Sequence, residues 1–382
     1  MNLRRALILG TAALLVAPMA RSGHEQSVYP SYYPHEIEIR TISPAPAADL
    51  MRAGKLHAYV GSAPPFASVA PDTIGAVESL GSLVVVQLNP GSPLARDETT
   101  ACATARAIVR GMAANAGAGN LTVHPYPVTP WHGDYLNHAD RAEAARLRIL
   151  QGDAPPPPAG LKVRAGSALA KGLVRPEWLA DGPHWDAAIE QTSVSGLVAD
   201  ATVALNGWLG PRWVRSGWFH AYRVLGSAMR DPAQRQEVEA SVARLQAADY
   251  QGNVERINLE RELVGSLVSG CRAMVAGYTV KREYFNAQFS AGIENISFDA
   301  LEGFSSPMFL RTVKLKDFPW NGWLQLGVEA APDSAWNPIG GFTDPFGRLA
   351  WYAIGDPAAV PSPYEAAWTL NRISEVEASP RP

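Results

Sequence analysis

A run of four prolines, Pro155–Pro158, constrains the fold of this 382-residue chain more than any other feature. Proline lacks a backbone N–H and fixes φ, so the run can be neither the interior of a helix nor a central strand. The sequence patterns on its two sides also differ in kind. We therefore predict a domain boundary here, with residues 153–184 as a Pro-rich linker, and a disordered tail at residues 377–382.

Residues 23–152, before this linker, are predicted to form an α/β domain. Glu36–Ile42 alternates polar and apolar side chains, which is typical of a strand with one covered face. Ser43 can cap a helix that starts at Pro44, and Leu56–Gly61 is the next predicted strand. A helix between two strands favours a parallel pair. We expect strand–helix–strand units in a mostly parallel sheet.

Two further elements are predicted in this domain. Ser82–Leu88 is a compact apolar strand that ends in a turn rich in proline and glycine. A helix starts near Asp97 and ends near Gly117. Apolar side chains recur in this helix at intervals of four, three and four residues, which predicts that they share one buried face of the helix. These residues are Ala101, Ala105, Ile108 and Met112.

Residues 185–376 are predicted to form a second domain, helix-rich and of the α+β class. Apolar stripes at helical spacing indicate that Trp185–Tyr250 and Asn253–Ala276 are mainly helical. The remainder is rich in glycine, proline and aromatic residues, with strands predicted at Met308–Leu315 and Trp323–Val328. The chain is therefore predicted to have two domains.

Residues 1–22 have the features of an export signal. Arg4 and Arg5 precede Ala6–Ala20, an apolar run of about 15 residues, and small residues follow up to Ser22, where a signal peptidase would cleave. The run is shorter than the roughly 20 residues that span a bilayer. We expect a periplasmic or secreted protein that has no membrane span after cleavage.

Two export routes fit this segment. Arg4–Ile8 satisfies the core of a twin-arginine signal, which carries folded proteins, often with a cofactor or a cofactor-bearing partner. An ordinary signal peptide with two arginines in its first region fits as well. Both routes stay open.

The two cysteines, Cys102 and Cys271, are far apart in sequence and form no metal-binding or haem-attachment motif. In an oxidising compartment they could form one disulfide. Both also lie on predicted apolar helix faces, where they could remain free, buried thiols. The sequence leaves both alternatives open.

Three of the eight histidines lie close together, at His124, His132 and His138, and Asp134 and Asp140 accompany them. Imidazole nitrogen and carboxylate oxygen are ligands that suit Zn²⁺, Cu²⁺ or Fe²⁺. We take the histidines as candidate ligands of a divalent transition metal. The two aspartates are candidate catalytic groups, as a base or as orienting carboxylates. A structural alternative has Asp140 capping a helix and His138 bonded to Asp134.

Tryptophan and arginine are dense in the second half of the chain. Together they suit an interface hot spot or a pocket for an anionic or planar ligand. A packed helical hairpin with extended arginines explains them as well. The candidate residues of a ligand-binding or partner-binding surface are Trp208, Arg212, Trp213, Trp218, His220, Trp320 and Trp336.

Composition and missing motifs exclude several functions. The net charge of −3 becomes −6 when Arg4, Arg5 and Arg21 are removed with the signal, which argues against nucleic acid and anionic membranes as partners. The sequence has no G-x-S-x-G elbow, no P-loop, no dinucleotide fingerprint and no C-x-x-C-H.

Our first hypothesis is an exported, non-catalytic protein that either binds a small-molecule ligand or acts as an accessory to a protein partner. In the accessory role, the partner would bear a cofactor. The alternative is a periplasmic metal-dependent enzyme, hydrolytic or oxidative, that uses the His/Asp cluster at residues 124–140.

Overall fold

The computed structural model describes residues 32–66, 70–118, 120–152, 156–204, 211–317, 322–333, 342, 344–355, 358–371 and 373–375. The predicted export signal and C-terminal tail lie outside these residues, as do Trp208, Trp320 and Trp336. Within the described segments, no helix combines the length and the apolar character that crossing a membrane requires.

The described chain contains both strands and helices along most of its length. The strands are β1 (Glu36–Thr41), β2 (Ala58–Val60), β3 (Ile74–Leu88), β4 (Leu121–Val123), β5 (Val163–Ala165), β6 (Ala187–Ser193), β7 (Ala273–Asn286), β8 (Ile293–Glu294), β9 (Lys314–Leu315), β10 (Trp323–Val328), β11 (Ala359–Pro361) and β12 (Trp368–Leu370). The helices are α1 (Pro44–Arg52), α2 (Glu98–Ala114), α3 (Ala139–Arg146), α4 (Ala168–Leu173), α5 (Val194–Ala204), α6 (Gly217–Leu225), α7 (Pro232–Ala247), α8 (Gly252–Leu267), α9 (Pro307–Thr312) and α10 (Pro345–Ile354).

The strand–helix–strand unit predicted near the N-terminus is present as β1, α1 and β2. Its two strands run parallel but are not neighbours, because β10 lies between them and pairs in parallel with both. The alternation of β1 turns Ile37 and Ile39 toward the core, where they align with Leu324 and Leu326 of β10. A strand from far along the chain therefore completes the N-terminal unit.

Two long antiparallel strands, β3 and β7, form the middle of the main sheet, whose order is β1-β10-β2-β7-β3-β6-β5, with β4 also pairing with β7. Their register runs from Ile74 opposite Asn286 to Gln87 opposite Ala273. β2 pairs with one end of this β3/β7 ribbon and β6 with the other. The sheet is mixed, so the expectation of a mostly parallel sheet is corrected: β3 pairs directly with distant strands instead of through a helical crossover.

Apolar residues of β3 are buried on both faces of the sheet. Leu83 and Val85 pack with helices α6, α7 and α8 on one face, and Val84 and Val86 pack with α2 on the other. This division follows from the two-residue period of a strand. The four residues predicted to share a face of the helix after Asp97 are all buried in α2, and Asp97 caps that helix by accepting from Thr100 N (2.8 Å).

The segment predicted as a linker, residues 153–184, contains β5 and α4. β5 pairs with β6, and β6 pairs with β3, which precedes the prolines in the chain. Residues 156–158 are irregular, as expected of proline. Strands from both sides of the proline run therefore share one sheet. A domain division at these prolines would separate hydrogen-bonded strands.

The second half contains more strand than predicted. β6 occupies the start of the region predicted to be mainly helical, and α8 ends at Leu267 with β7 beginning at Ala273, inside a predicted helix. Most of the predicted strand Met308–Leu315 is helix α9, because Ser306 caps it and Pro307 starts it. The strand predicted at Trp323–Val328 is confirmed as β10.

Cys102 and Cys271 form a disulfide. It joins α2 to the residues just before β7, across a sequence separation of 169. Glu98, on the same helix, accepts a hydrogen bond from Cys271 N (2.8 Å). The bridge therefore fixes α2 to the start of β7, a central strand of the sheet, and it settles the choice between a disulfide and free thiols that the sequence left open.

Candidate functional site

The three clustered histidines do not share one site. His124 donates from Nε2 to the carbonyl oxygen of Val128 (2.9 Å) and so closes a local turn. Burial lowers the pKa of His124, which keeps its ring neutral. Its role in the structure is to hold the proline-rich loop that follows β4.

His132 is hydrogen-bonded to His220 of α6, and the pattern fixes both tautomers. A carbonyl oxygen can only accept, so His220 Nε2 donates to Val214 O (2.9 Å). His220 Nδ1 then accepts from His132 Nε2 (2.8 Å), and His132 Nδ1 accepts from Thr129 N (2.9 Å). All four ring nitrogens have partners, which leaves none for a metal ion.

Both of these rings are neutral. Burial lowers the pKa of His132 to about 3 and the pKa of His220 well below its usual value, because a charged imidazole would lose its hydration in the core. The His132–His220 pair is a buried structural connection between the histidine-rich loop and α6.

The two candidate catalytic aspartates have different surroundings. Asp134 is buried and accepts from the backbone N–H groups of Gly217 (3.0 Å) and Trp218 (3.4 Å) at the start of α6. Burial raises the pKa of Asp134. Asp140 is at the surface in a two-pronged ion pair with Arg261 (2.7 and 2.6 Å), which holds the pKa of Asp140 below its usual range.

Asp134 and His138 do meet, together with Glu260 of α8, which sequence reasoning missed. Each of the three side chains offers one potential ligand atom, and these atoms all lie within 4.8 Å of one another. The cluster includes neither His124 nor His132. One signal could have indicated Glu260: it lies three and four residues before Leu263 and Val264, on the apolar stripe of its helix.

Two of the four described residues of the predicted tryptophan surface belong to the core. Trp218 and His220 are 1% and 0% exposed, and the Trp218 ring packs edge-on against Phe219 at 5.9 Å. Trp213 is partly buried against the same cluster, and Arg212 donates from Nε to Ala366 O (2.8 Å). Trp218 and His220 are therefore corrected from a recognition surface to a packed interior, because their rings lie on the buried side of α6, whereas Trp213 is half-buried and Arg212 is exposed.

A polar cleft of about 450 Å³ lies between the two halves of the main sheet. One wall comes from the half that contains β2 and β10, with Gly61, Glu329 and Phe346. The opposite wall comes from β6 and the residues after it, with Gln191 and Ser193. The cleft therefore lies at the carboxyl ends of β2, β10 and β6, where ligand sites in open α/β sheets form.

The floor of the cleft is the β3/β7 ribbon where its register shifts between Leu80 and Ser82. A Cβ on Gly81 would lie 2.8 Å from Thr279 Oγ1, so only glycine lets the strands approach this closely. Ser82 Oγ lies 2.7 Å from Thr279 Oγ1 and accepts from Gln191 Nε2 (2.8 Å). The irregularity thus presents hydroxyl and amide groups to the cleft.

The cation in the floor is already neutralised. Lys281 Nζ lies 3.3 Å from Glu283 Oε1 and donates to Glu302 O (2.9 Å). Glu283 is fully buried and also accepts from Gly61 N (2.9 Å) and Phe304 N (2.8 Å). The remaining lining is hydroxyl, amide and apolar, with Glu329 as an exposed acid. None of these residues was predicted as a site.

No protein-family model and no curated protein matches the chain. Solved structures that it is similar to include OppA of Haemophilus influenzae in complex with RPPGFSPFR (TM-score 0.42, 11% identity, 72% of this chain and 57% of that one). A second is the periplasmic binding protein DppA of Helicobacter pylori in complex with peptide STSA (TM-score 0.42, 11% identity, 72% of this chain and 56% of that one). A third is the oligopeptide-binding protein AppA of Bacillus subtilis (TM-score 0.39, 10% identity, 72% of this chain and 59% of that one). The chain spans less than two thirds of the length of each.

Proposed function

We propose that this chain is an exported, non-catalytic binding protein that holds a small polar solute in the cleft between the two halves of its sheet. The observation that carries this proposal is the construction of the cleft: its walls come from different halves, and the β3/β7 ribbon forms its floor. A volume of about 450 Å³ lies within the usual range for small-molecule sites. The expectation of export depends on the signal in residues 1–22.

The lining favours a neutral solute rich in hydroxyl or amide groups. Ser82, Gln191, Ser193 and Thr279 offer both donors and acceptors. The charge of Lys281 is balanced by Glu283, so an anion would find no free cation among the lining residues described above. Phe346 adds an apolar surface on which the face of a sugar ring or a short side chain could pack.

Thermal unfolding of the mature protein tests this proposal, with panels of polyols, monosaccharides, amino acids and dipeptides as probes. A solute at about 100 times its Kd stabilises the folded state by roughly 2.7 kcal/mol, so Tm should rise by several degrees. Gln191→Ala and Ser193→Ala should abolish the rise. Ser241→Ala, which removes a partly exposed hydroxyl that donates to Glu237 O on α7, is the matched control and should keep it.

Two outcomes contradict the proposal. One is a Tm that none of the four probe classes raises. The other is a rise in Tm that survives in both cleft variants, because binding would then take place elsewhere.

The alternative functions receive less support from the geometry. An accessory role was based on a tryptophan surface, and Trp218 and His220 are buried. A metal-dependent enzyme needs a metal with an open position that substrate can reach. Asp134, His138 and Glu260 are 8%, 0% and 2% exposed, so a site formed by them favours a structural role over a catalytic one.

A further inference from the structure

Asp134, His138 and Glu260 form a buried cluster that the proposed binding function does not use. Asp134 and His138 come from the loop before α3, and Glu260 comes from α8, more than a hundred residues later. Their potential ligand atoms lie within 4.8 Å of one another. Two carboxylates and an imidazole thus converge in the interior, where unpaired polar groups are costly.

Two atoms of this cluster have no hydrogen-bond partner. His138 is bonded at Nδ1 to the Tyr126 hydroxyl (3.1 Å), and its Nε2 is buried without a partner. Glu260 Oε1 accepts from Arg256 Nη1 (2.6 Å), and its Oε2 is likewise buried without a partner. Native proteins pair nearly all buried polar atoms, so a missing partner indicates that something belongs between these groups.

The surroundings would orient the imidazole for a metal ion. If His138 Nδ1 carries its proton and donates to the Tyr126 oxygen, the Nε2 lone pair is free to bind. Asp134 is held in place by Gly217 N and Trp218 N, and Glu260 by Arg256. Each ligand therefore has a second partner that fixes its direction, as ligands of bound metals usually do.

We propose that Asp134, His138 and Glu260 bind a divalent transition metal ion, Zn²⁺ first among them, at a buried structural site. Zinc takes imidazole nitrogen and carboxylate oxygen at about 2.0–2.2 Å, and a water can fill a fourth position. Ligands of one such ion lie roughly 3.5 Å apart, so the side chains close slightly on binding. The ion ties the loop before α3 to α8, independently of the polar cleft.

Elemental analysis of the full mature protein, together with Tm measured with Zn²⁺ alone and with a chelator, tests this proposal. We expect about one equivalent of metal per chain, a Tm that chelation lowers and a Tm that added Zn²⁺ restores. Glu260→Gln and His138→Asn should lose the metal. His124→Gln and Asp140→Asn are matched controls from the same region and should retain it.

Each contrary result overturns the proposal. A metal-free protein whose Tm responds to neither Zn²⁺ nor chelator shows that the cluster binds no ion. Metal retained in both Glu260→Gln and His138→Asn places the ion elsewhere. If either variant fails to fold, the metal stoichiometry and the chelator response of the unsubstituted protein still decide whether a metal is bound. The absorption spectrum of the protein with Co²⁺ in place of Zn²⁺ then shows whether the ligands are nitrogen and oxygen. A Tm response to sugars or peptides would bear only on the cleft.

Discussion

Removal of the Cys102–Cys271 disulfide should cost this protein a large part of its stability. The bridge closes a loop with a sequence separation of 169 residues. In the chain-entropy model a loop of this length restricts the unfolded chain by about 5 kcal/mol, and measured losses on removing a native disulfide run from about 2 to 5 kcal/mol. Cys102→Ala with Cys271→Ala should therefore lower the free energy of unfolding by about that amount.

The folded state should survive this change. Helix α2 remains attached to the core through Ala105, Ile108 and Met112, and the backbone hydrogen bond from Cys271 N to Glu98 needs no sulfur. Because the native packing is kept, the loss arises in the unfolded chain, which gains freedom. The variant should unfold at a lower denaturant concentration while its circular dichroism at zero denaturant stays unchanged.

Equilibrium unfolding in guanidinium chloride measures this loss, for the oxidised protein, the reduced protein and the double variant. The reduced protein and the variant should agree. Glu98→Gln, which keeps an acceptor for Cys271 N, is the control for local damage to α2 and should change the midpoint little. Coincident midpoints for the oxidised protein and the double variant would refute the reasoning, as would free thiols in the exported protein after denaturation.

Three further outcomes are expected. Because burial lowers the pKa of His132 to about 3, the unfolded chain binds more protons than the folded chain between pH 6.5 and about pH 3, and the free energy of unfolding should fall by about 1.4 kcal/mol per pH unit over this range. The lowered pKa of His220 should steepen this fall. Urea midpoints should show the slope, and His132→Gln should flatten it. Arg215→Met leaves buried Asp299 unpaired and should cost about 3–5 kcal/mol, with partial recovery when Asp299→Asn is added, as measured by denaturation. Gly277→Ala would place a Cβ 2.1 Å from the carbonyl oxygen of Thr122 and so push β4 away from β7. The backbone amides of β4 should therefore lose protection from hydrogen exchange, and unchanged protection would contradict this account.

Elements whose signal is local were predictable from sequence. The stripe of α2 is set by spacing within one helix, and all four of its apolar residues are buried. The strand Trp323–Val328 lies between turn-forming residues, which mark its limits. The β1, α1 and β2 unit was likewise predicted from a cap, a proline and an alternation that lie within a few residues of one another.

Pairing between distant segments was not predictable. Nothing near β1 indicates that β10 lies beside it, and nothing near β3 indicates β7, because a strand's partner is chosen by tertiary packing. β6 was missed for a related reason: only Ala187–Ile189 is buried, so its apolar run is too short to distinguish strand from helix.

The candidate site shows the same limit. The histidine-rich segment indicated His138 and Asp134, but the third member of their cluster, Glu260, lies on the apolar stripe of a distant helix, and nothing in either segment indicates that the two meet. His132 was predicted to be a metal ligand because nothing near it in sequence indicated its hydrogen-bond partner, His220, which is 88 residues away. The polar cleft is assembled from the carboxyl ends of β2, β10 and β6 and from the interior of the β3/β7 ribbon, so no single stretch of sequence could reveal it.

The pairing of β3 with β7 also sets the order of events during synthesis. β3 cannot acquire its long partner until the chain has been made as far as Asn286, and β1 must wait for β10. Contacts so distant in sequence slow folding and leave apolar strands exposed while the chain grows. If the signal in residues 1–22 directs export as an unfolded chain, this pairing forms only after the chain has crossed the membrane. Export in the folded form would instead require that nearly the whole polypeptide leave the ribosome first.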